Sequence, residues 1–253
     1  MRLEILGCSG SVGGPGAACS GYLLQADGHE PVVMDFGPGV LGQLQALVDP
    51  NSVTVMLSHL HADHCLDMPS LLVWRRYAPV PAVGHAPLYG PVDTVERIGR
   101  ASAETATMFD DISDTFDFTP WQEGVDFEIG GFSVRPFRMY HPPESYGLRI
   151  TSPSGGVLAF SGDTGVCDNL VEVARDADLF LAESSWTHDP ENRPAGVHIS
   201  GYEAGEAAAK AGAKRLLLTH IPPWTDRDTM IAEARSSFDG PVDAVRGGDR
   251  FDF

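Results

Sequence analysis

The sequence predicts an α/β fold of four layers, in which two packed mixed sheets carry helices on their outer faces. Three observations predict it. Short apolar strands recur along the whole chain, and helix-like runs stand between many of them. Two hairpin-like stretches, one at the start and one in the middle, each lead into strand–helix units, a rough two-fold duplication of a ββ…βαβ half.

The elements read in order as follows. "RLEIL" (2–6), "GYLLQA" (21–26), "PVVMDF" (31–36) and "VTVML" (53–57) are alternating or continuous apolar strands. "GVLGQLQALV" (39–48) and "LDMPSLLVWRRY" (66–77) have helical spacing. "DFEIGGFSVRPF" (126–137) is a hairpin turning at Gly130-Gly131. "YGLRITS" (146–152), "GVLAFSG" (156–162), "DLFLAES" (178–184) and "RLLLTH" (215–220) are further strands. Helices are expected over 169–177, 200–212 and 225–238, several opening on Ser, Thr or Asp caps. The acidic stretch 101–124 has weak periodicity and reads as a loop or lid. Neither a linker nor a low-complexity segment interrupts the pattern, so residues 1–253 are expected to form a single domain.

Composition bounds the function. Hydrophobic content of 43% and charged content of 21% are those of a globular protein. No apolar run approaches the roughly 20 residues of a membrane span. The N-terminus runs straight into a strand pattern without a basic and apolar leader, which predicts a cytoplasmic location. Cys8, Cys19, Cys65 and Cys167 are scattered without a CxxC pair, so reduced thiols are expected. Cys65 reads as a small buried residue at a helix start rather than a ligand. A net charge of −18 repels polyanions and disfavours nucleic acid as a partner, while a small anion could still be captured at short range by bound cations.

Chemistry concentrates at strand ends. "VMLS" is followed by His59, His61, Asp63 and His64 within "HLHADH". "SVRPFRMY" ends in His141, "VLAFSG" in Asp163 and "LLLT" in His220. Ligand sites of α/β sheets form at this edge, where strands lying side by side bring distant residues together. Imidazole and carboxylate suit Zn²⁺ and related ions. Seven groups exceed one tetrahedral ion and suit two ions sharing a bridging carboxylate. His29 and His85 sit in turns, and these two, like His188, lack strand-end placement.

"HLHADH", the lone His141, the "GDT" Asp163 and the final "TH" resemble the metallo-β-lactamase fold along the whole chain. The resemblance implies an αββα sandwich with two divalent ions, zinc first and manganese or iron as alternatives. It implies that His59, His61 and His141 hold one ion, that Asp63, His64 and His220 hold the other, and that Asp163 bridges them. "HISGYEAGEAAAKAGAKRLLLTH" is similar to the HST-type motif of tRNase Z and related phosphodiesterases. That likeness implies His198 as the residue protonating the leaving oxygen and Glu183, in "LAESSW", as its orienting carboxylate. The 22-residue step from His141 to Asp163 leaves no room for the tRNA-gripping arm of tRNase Z. "LGCSGSVGGPGAACSGYLL", "SHLHADHCLDMPSLLVWRRY" and "SGDTGVCDNLVEVA" look like a bacterial tRNase Z-like group described as atypical cyclic-nucleotide phosphodiesterases.

The resemblance therefore implies hydrolysis of a small anionic phosphodiester, a 3′,5′-cyclic nucleotide, with Asp63 orienting or deprotonating the attacking water. A thioester or lactone hydrolase on the same ions is the alternative, with tRNA 3′-end cleavage behind it. A non-enzymatic scaffold is a third class, and the full ligand set argues against it. Ser58 and Ser161 are expected to fix ligand imidazoles. "LLVWRRYAPVP" offers apolar and aromatic surface for a homodimer, unless Trp74 and Tyr77 serve the chain's own core.

Overall fold

The strands in chain order are β1 (Arg2–Gly7), β2 (Gly21–Gln25), β3 (Val32–Met34), β4 (Thr54–Met56), β5 (Ala86–Gly90), β6 (Phe116–Pro120), β7 (Phe127–Ile129), β8 (Phe132–Arg138), β9 (Tyr146–Thr151), β10 (Val157–Phe160), β11 (Leu179–Glu183), β12 (Leu216–Thr219), β13 (Val242–Ala244) and β14 (Arg250–Asp252). The computed structural model describes every residue except 190 and 195. The strands form two sheets of seven, ordered β14-β1-β2-β3-β4-β5-β6 and β13-β12-β11-β10-β9-β8-β7. Each sheet is mixed. It has an antiparallel part around its hairpin and a parallel part built from strand–helix units.

Strand alternation sorts side chains between two cores, and this builds the layers. Leu24, Met34, Met56, Leu148, Leu158, Leu181 and Leu217 point between the sheets. Their neighbours point outward: Leu23, Val33 and Val55 on one sheet, Ala159, Phe180, Ala182, Leu216 and Leu218 on the other. The helices are α1 (Val40–Leu44), α2 (Ala62–Cys65), α3 (Met68–Tyr77), α4 (Thr94–Ser102), α5 (Asp168–Ala174), α6 (Gly201–Ala211) and α7 (Arg227–Arg235). α1, α3 and α4 cover the first sheet with Val40, Leu44, Met68, Leu71, Leu72 and Ile98. α5, α6 and α7 cover the second. The result is the four-layer sandwich expected from the sequence.

α6 shows how local chemistry sets an element that matters for the site. Ser200 accepts from the Glu203 N–H at 3.2 Å, and the Glu203 carboxylate accepts from the Ser200 N–H at 2.9 Å, a reciprocal cap. Ala204, Ala207, Ala208 and Ala211 form its buried face, so the helix lies close against the sheet. Gly212, at φ 70°, ends it in the left-handed region.

Four strands and two helices were not visible in the apolar pattern: β5, β6, β13, β14, α2 and α4. The stretch 101–124 is not a lid. It completes α4, passes a 3-10 turn (Ile112–Asp114) and forms β6, the edge strand of the first sheet. Its acidic residues have a partner: Arg76 of α3 binds Asp110 at 2.9 Å and Asp114 at 2.7 Å. Among the described residues no helix is long and apolar enough to cross a membrane.

Candidate metal centre

β8, β10, β11 and β12 run in one direction, because β9 is antiparallel to both β8 and β10, and β10, β11 and β12 are parallel. Their C-terminal ends therefore share an edge, and His141, Asp163, Glu183 and His220 stand there. The segment after β4 reaches the same edge from the first sheet, joined to the second by the Tyr146 N–H donating to Ser58 O at 3.0 Å. His61 lies at the N-cap of α2, so Asp63 and His64 fall on its single turn.

The structure brings all seven expected groups together. His61 Nδ1 lies 3.1 Å from His59 Nε2 and 3.1 Å from His141 Nε2. His220 Nε2 lies 3.0 Å from His64 Nε2 and 3.0 Å from Asp63 Oδ2. Asp163 sits between the two groups, with Oδ2 3.6 Å from both His59 Nε2 and His220 Nε2, and Oδ1 3.4 Å from His64 Nε2. His59, His61, His141 and Asp163 form one set of donors close enough to share an ion, and Asp63, His64 and His220 form another.

This donor set fits divalent cations. Burial, first of all, holds His59, His61 and His141 below the usual imidazole range, so each is neutral and offers a lone pair. With His61 Nδ1 only 3.1 Å from a ring nitrogen of each of the other two, these neutral rings gain by having a cation between them. Burial opposes ionisation of Asp63 and Asp163, yet the surrounding histidines hold both well below the usual carboxylate range. Asp163 Oδ1 is buried and has no hydrogen-bond partner among the described residues, as expected of an oxygen reserved for metal. His64 also resists charge by burial, but Asp163 and Asp35 outweigh this and hold a proton on it well above the ordinary value. The site demands positive charge, which a metal ion supplies in place of that proton.

His198 and Glu183 meet beside this cluster. His198 Nδ1 is 3.0 Å from Glu183 Oε1 and 3.7 Å from Asp163 Oδ2. Burial opposes its protonation, but Glu183 and then Asp163 prevail and push its pKa up to about 9. Asp163, His198 and His220 are also close enough to hold an ion. His198 Nδ1 is engaged by the Glu183 carboxylate. Glu183 is fixed in turn by the Thr164 N–H at 2.8 Å and the Ser185 hydroxyl at 2.9 Å.

Several supporting residues escaped the sequence reading. Asp35, fully buried, accepts from the Ser58 N–H at 2.7 Å, the Ser58 hydroxyl at 2.9 Å and His64 Nδ1 at 2.7 Å. It therefore directs His64 Nε2 at the cluster. Its signal was an aspartate ending the apolar run "VVMD", read there as part of a strand. Ser185 links Glu183 to His220 Nδ1, 2.6 Å away, and His141 Nδ1 donates to Val197 O at 2.7 Å. Asp35 and His220 hold left-handed backbone at φ 57° and 56°, a strain on the order of 1–3 kcal/mol each that the packing sustains. Gly10 permits this packing, because a Cβ there would stand 2.2 Å from the His220 carbonyl oxygen.

Of the other expectations, Ser58 does touch His59 Nδ1 at 3.1 Å. Ser161 does not touch a ligand ring: it donates to Gly162 O and accepts from the Glu183 N–H, shaping the strand ends instead. Cys65 is buried with its thiol toward Leu60 O, at the end of α2 rather than at a helix start. His85 pairs with Asp117, and His188 contacts Ser200 at the cap of α6. Trp74 packs against the core while Tyr77 is exposed.

Comparison with known proteins agrees with this geometry. Residues 31–221 match the beta-lactamase superfamily domain. The chain is 58% identical over 252 residues to the Mycobacterium leprae protein ML1173, covering 100% of this chain and 88% of that one. It is 30% identical to the probable metallo-hydrolase YhfI of Bacillus subtilis, covering 98% of both. The crystal structure of that metallo-beta-lactamase fold protein superposes with a TM-score of 0.86 at 27% identity over 99% of each chain. Ribonuclease Z of Thermobifida fusca is 28% identical over 95% of this chain and 91% of its own. The chain thus belongs to the beta-lactamase superfamily, and with its clustered histidines and aspartates it is a metal-dependent hydrolase of that superfamily.

Proposed function

We propose that the protein is a phosphodiesterase that opens a small phosphodiester, a 3′,5′-cyclic nucleotide, at a two-ion centre, with zinc as the resident metal. The observation that carries this reading is the His198–Glu183 pair beside the metal cluster. A ribose alkoxide is a poor leaving group and needs a proton, which a buried imidazolium oriented by a carboxylate supplies. A thiolate leaves without one, so a thioesterase has no use for the pair. The likeness to Ribonuclease Z of Thermobifida fusca supports the same bond type, since a ribonuclease cleaves a phosphodiester.

His59, His61 and His141 would hold one ion and Asp63, His64 and His220 the other, with Asp163 shared. When bound, such a pair lowers the pKa of a water and neutralises charge on the phosphoryl group. The chain's own residues do the rest. Asp63, oriented by the Ser11 N–H at 2.8 Å, takes a proton from the attacking water. As the new P–O bond forms in line, the P–O bond to the ribose breaks and His198 protonates the departing oxygen. The product is a phosphate monoester, with one water consumed.

The test is a panel of bis(p-nitrophenyl) phosphate, an acyl thioester and a lactone, offered to zinc-loaded and chelator-stripped protein. Metal-dependent turnover of the phosphodiester supports the reading. Turnover of the thioester or lactone alone would replace it with the acyl-hydrolase reading.

A further inference from the structure

We propose that the groove walled by Trp186 and Trp224 seats the base of the nucleotide whose phosphodiester lies at the metal centre. This rests on the phosphodiesterase reading and adds where the remainder of the substrate goes. The groove holds about 560 Å³, within the range of ligand sites. It opens between the chain leaving β11 and the chain leaving β12, neighbouring parallel strands that also deliver Glu183 and His220. Trp186 follows Glu183 closely and packs edge-on to His198, with ring centroids 5.7 Å apart at 63°. Its backbone is pinned by a bridge to Ser200. Trp224 stands on a turn closed by the Thr225 N–H donating to Pro222 O, shortly after His220, and is 70% exposed. Two indoles thus line the groove, and one of them, Trp186, packs against the proposed acid.

The polar lining selects the occupant. Arg193, the one basic residue lining the groove among the described residues, is committed to Glu203. Asp189 accepts from Asn192 Nδ2 at 2.8 Å and Asp226 from the Thr229 N–H and hydroxyl at 3.0 and 2.8 Å, each through one oxygen, so the second oxygen of each carboxylate is the acceptor left in the lining. Such a lining repels phosphate or a carboxylate, while its two indoles and Pro194 offer flat apolar surface. It suits a flat, uncharged ring with N–H donors, stacked on indole: an amino-bearing nucleobase.

The experiment compares wild type with Trp224→Ala, because Trp224 lacks the contact with His198 that Trp186 makes. Zinc-loaded proteins are assayed on 3′,5′-cyclic AMP and on methyl p-nitrophenyl phosphate, a diester without a base. Binding of 5′-AMP is measured by calorimetry. Loss of one stacking partner should weaken 5′-AMP binding roughly 10- to 100-fold. It should also raise KM for cyclic AMP so that its loss in kcat/KM exceeds that on the baseless ester by about tenfold or more. Equal losses on the two substrates, or unaltered 5′-AMP binding, would overturn the base site while leaving the phosphodiesterase. Wild type inert on both esters would overturn the phosphodiesterase reading, and the 5′-AMP titration would then judge the groove alone.

Discussion

Replacing His198 by alanine should separate two substrates that differ in leaving group. Glu183, 3.0 Å from Nδ1, and Asp163, 3.7 Å away, raise the His198 pKa to about 9. At pH 7.5 the side chain is then mostly protonated and able to act as an acid. A general acid of this kind contributes on the order of 10²–10⁴ in rate, about 3–5 kcal/mol of barrier, when the leaving oxygen is a ribose alkoxide. A nitrophenolate leaves without a proton. The variant should therefore lose about 10²–10⁴ in kcat on cyclic AMP and less than about tenfold on bis(p-nitrophenyl) phosphate. The pH profile gives an independent reading. Because the folded pKa is raised, the acid form persists below it, and cyclic AMP turnover should fall as pH climbs through about 9. Glu183→Gln removes the holding charge, so this limb should move toward the ordinary imidazole value near 6.5. Equal losses on both substrates, or an alkaline limb unmoved by Glu183→Gln, would remove His198 from the acid role.

Three further outcomes are expected. Asp63→Ala should cost several powers of ten in turnover while the circular dichroism melt stays cooperative; near-normal turnover would sink the proposed water activation. Asp35→Asn keeps the shape but loses the charge that orients His64, so zinc affinity by chelator competition should fall about 10- to 100-fold, and an unchanged affinity would deny Asp35 that role. The raised pKa of His64 means the metal must displace its proton, so zinc binding should release about one proton and weaken as pH falls from 7.5 to 5.5. Calorimetry in buffers of different ionisation enthalpy reads both, and a pH-independent affinity would count against the assigned ligands.

What could be read from the chain depended on whether the signal was local. "VTVML" followed by "HLHADH" places a buried strand and four ligand groups side by side, and His141, Asp163 and His220 each end an apolar run. The inward and outward cores follow from the same alternation. β6 was hidden because it is an edge strand with every second residue exposed, embedded in acidic sequence whose charges answer Arg76 of α3. β5 carries a proline and only alternate buried residues. α4 buries only Thr94, Ile98 and Gly99, too narrow a stripe to stand out. Asp35, Ser185 and the Val197 carbonyl act through contacts across 29, 35 and 56 residues, which no local pattern encodes. Their work is to aim ring nitrogens, and aim is a property of packing.

The most direct measurement is phosphorus NMR of 3′,5′-cyclic AMP incubated with zinc-loaded and chelator-stripped protein. The account predicts that the diester resonance is replaced by that of a single adenosine monophosphate in the loaded sample only, and that zinc restores this conversion to stripped protein. A persistent diester signal with two ions bound per chain would contradict it.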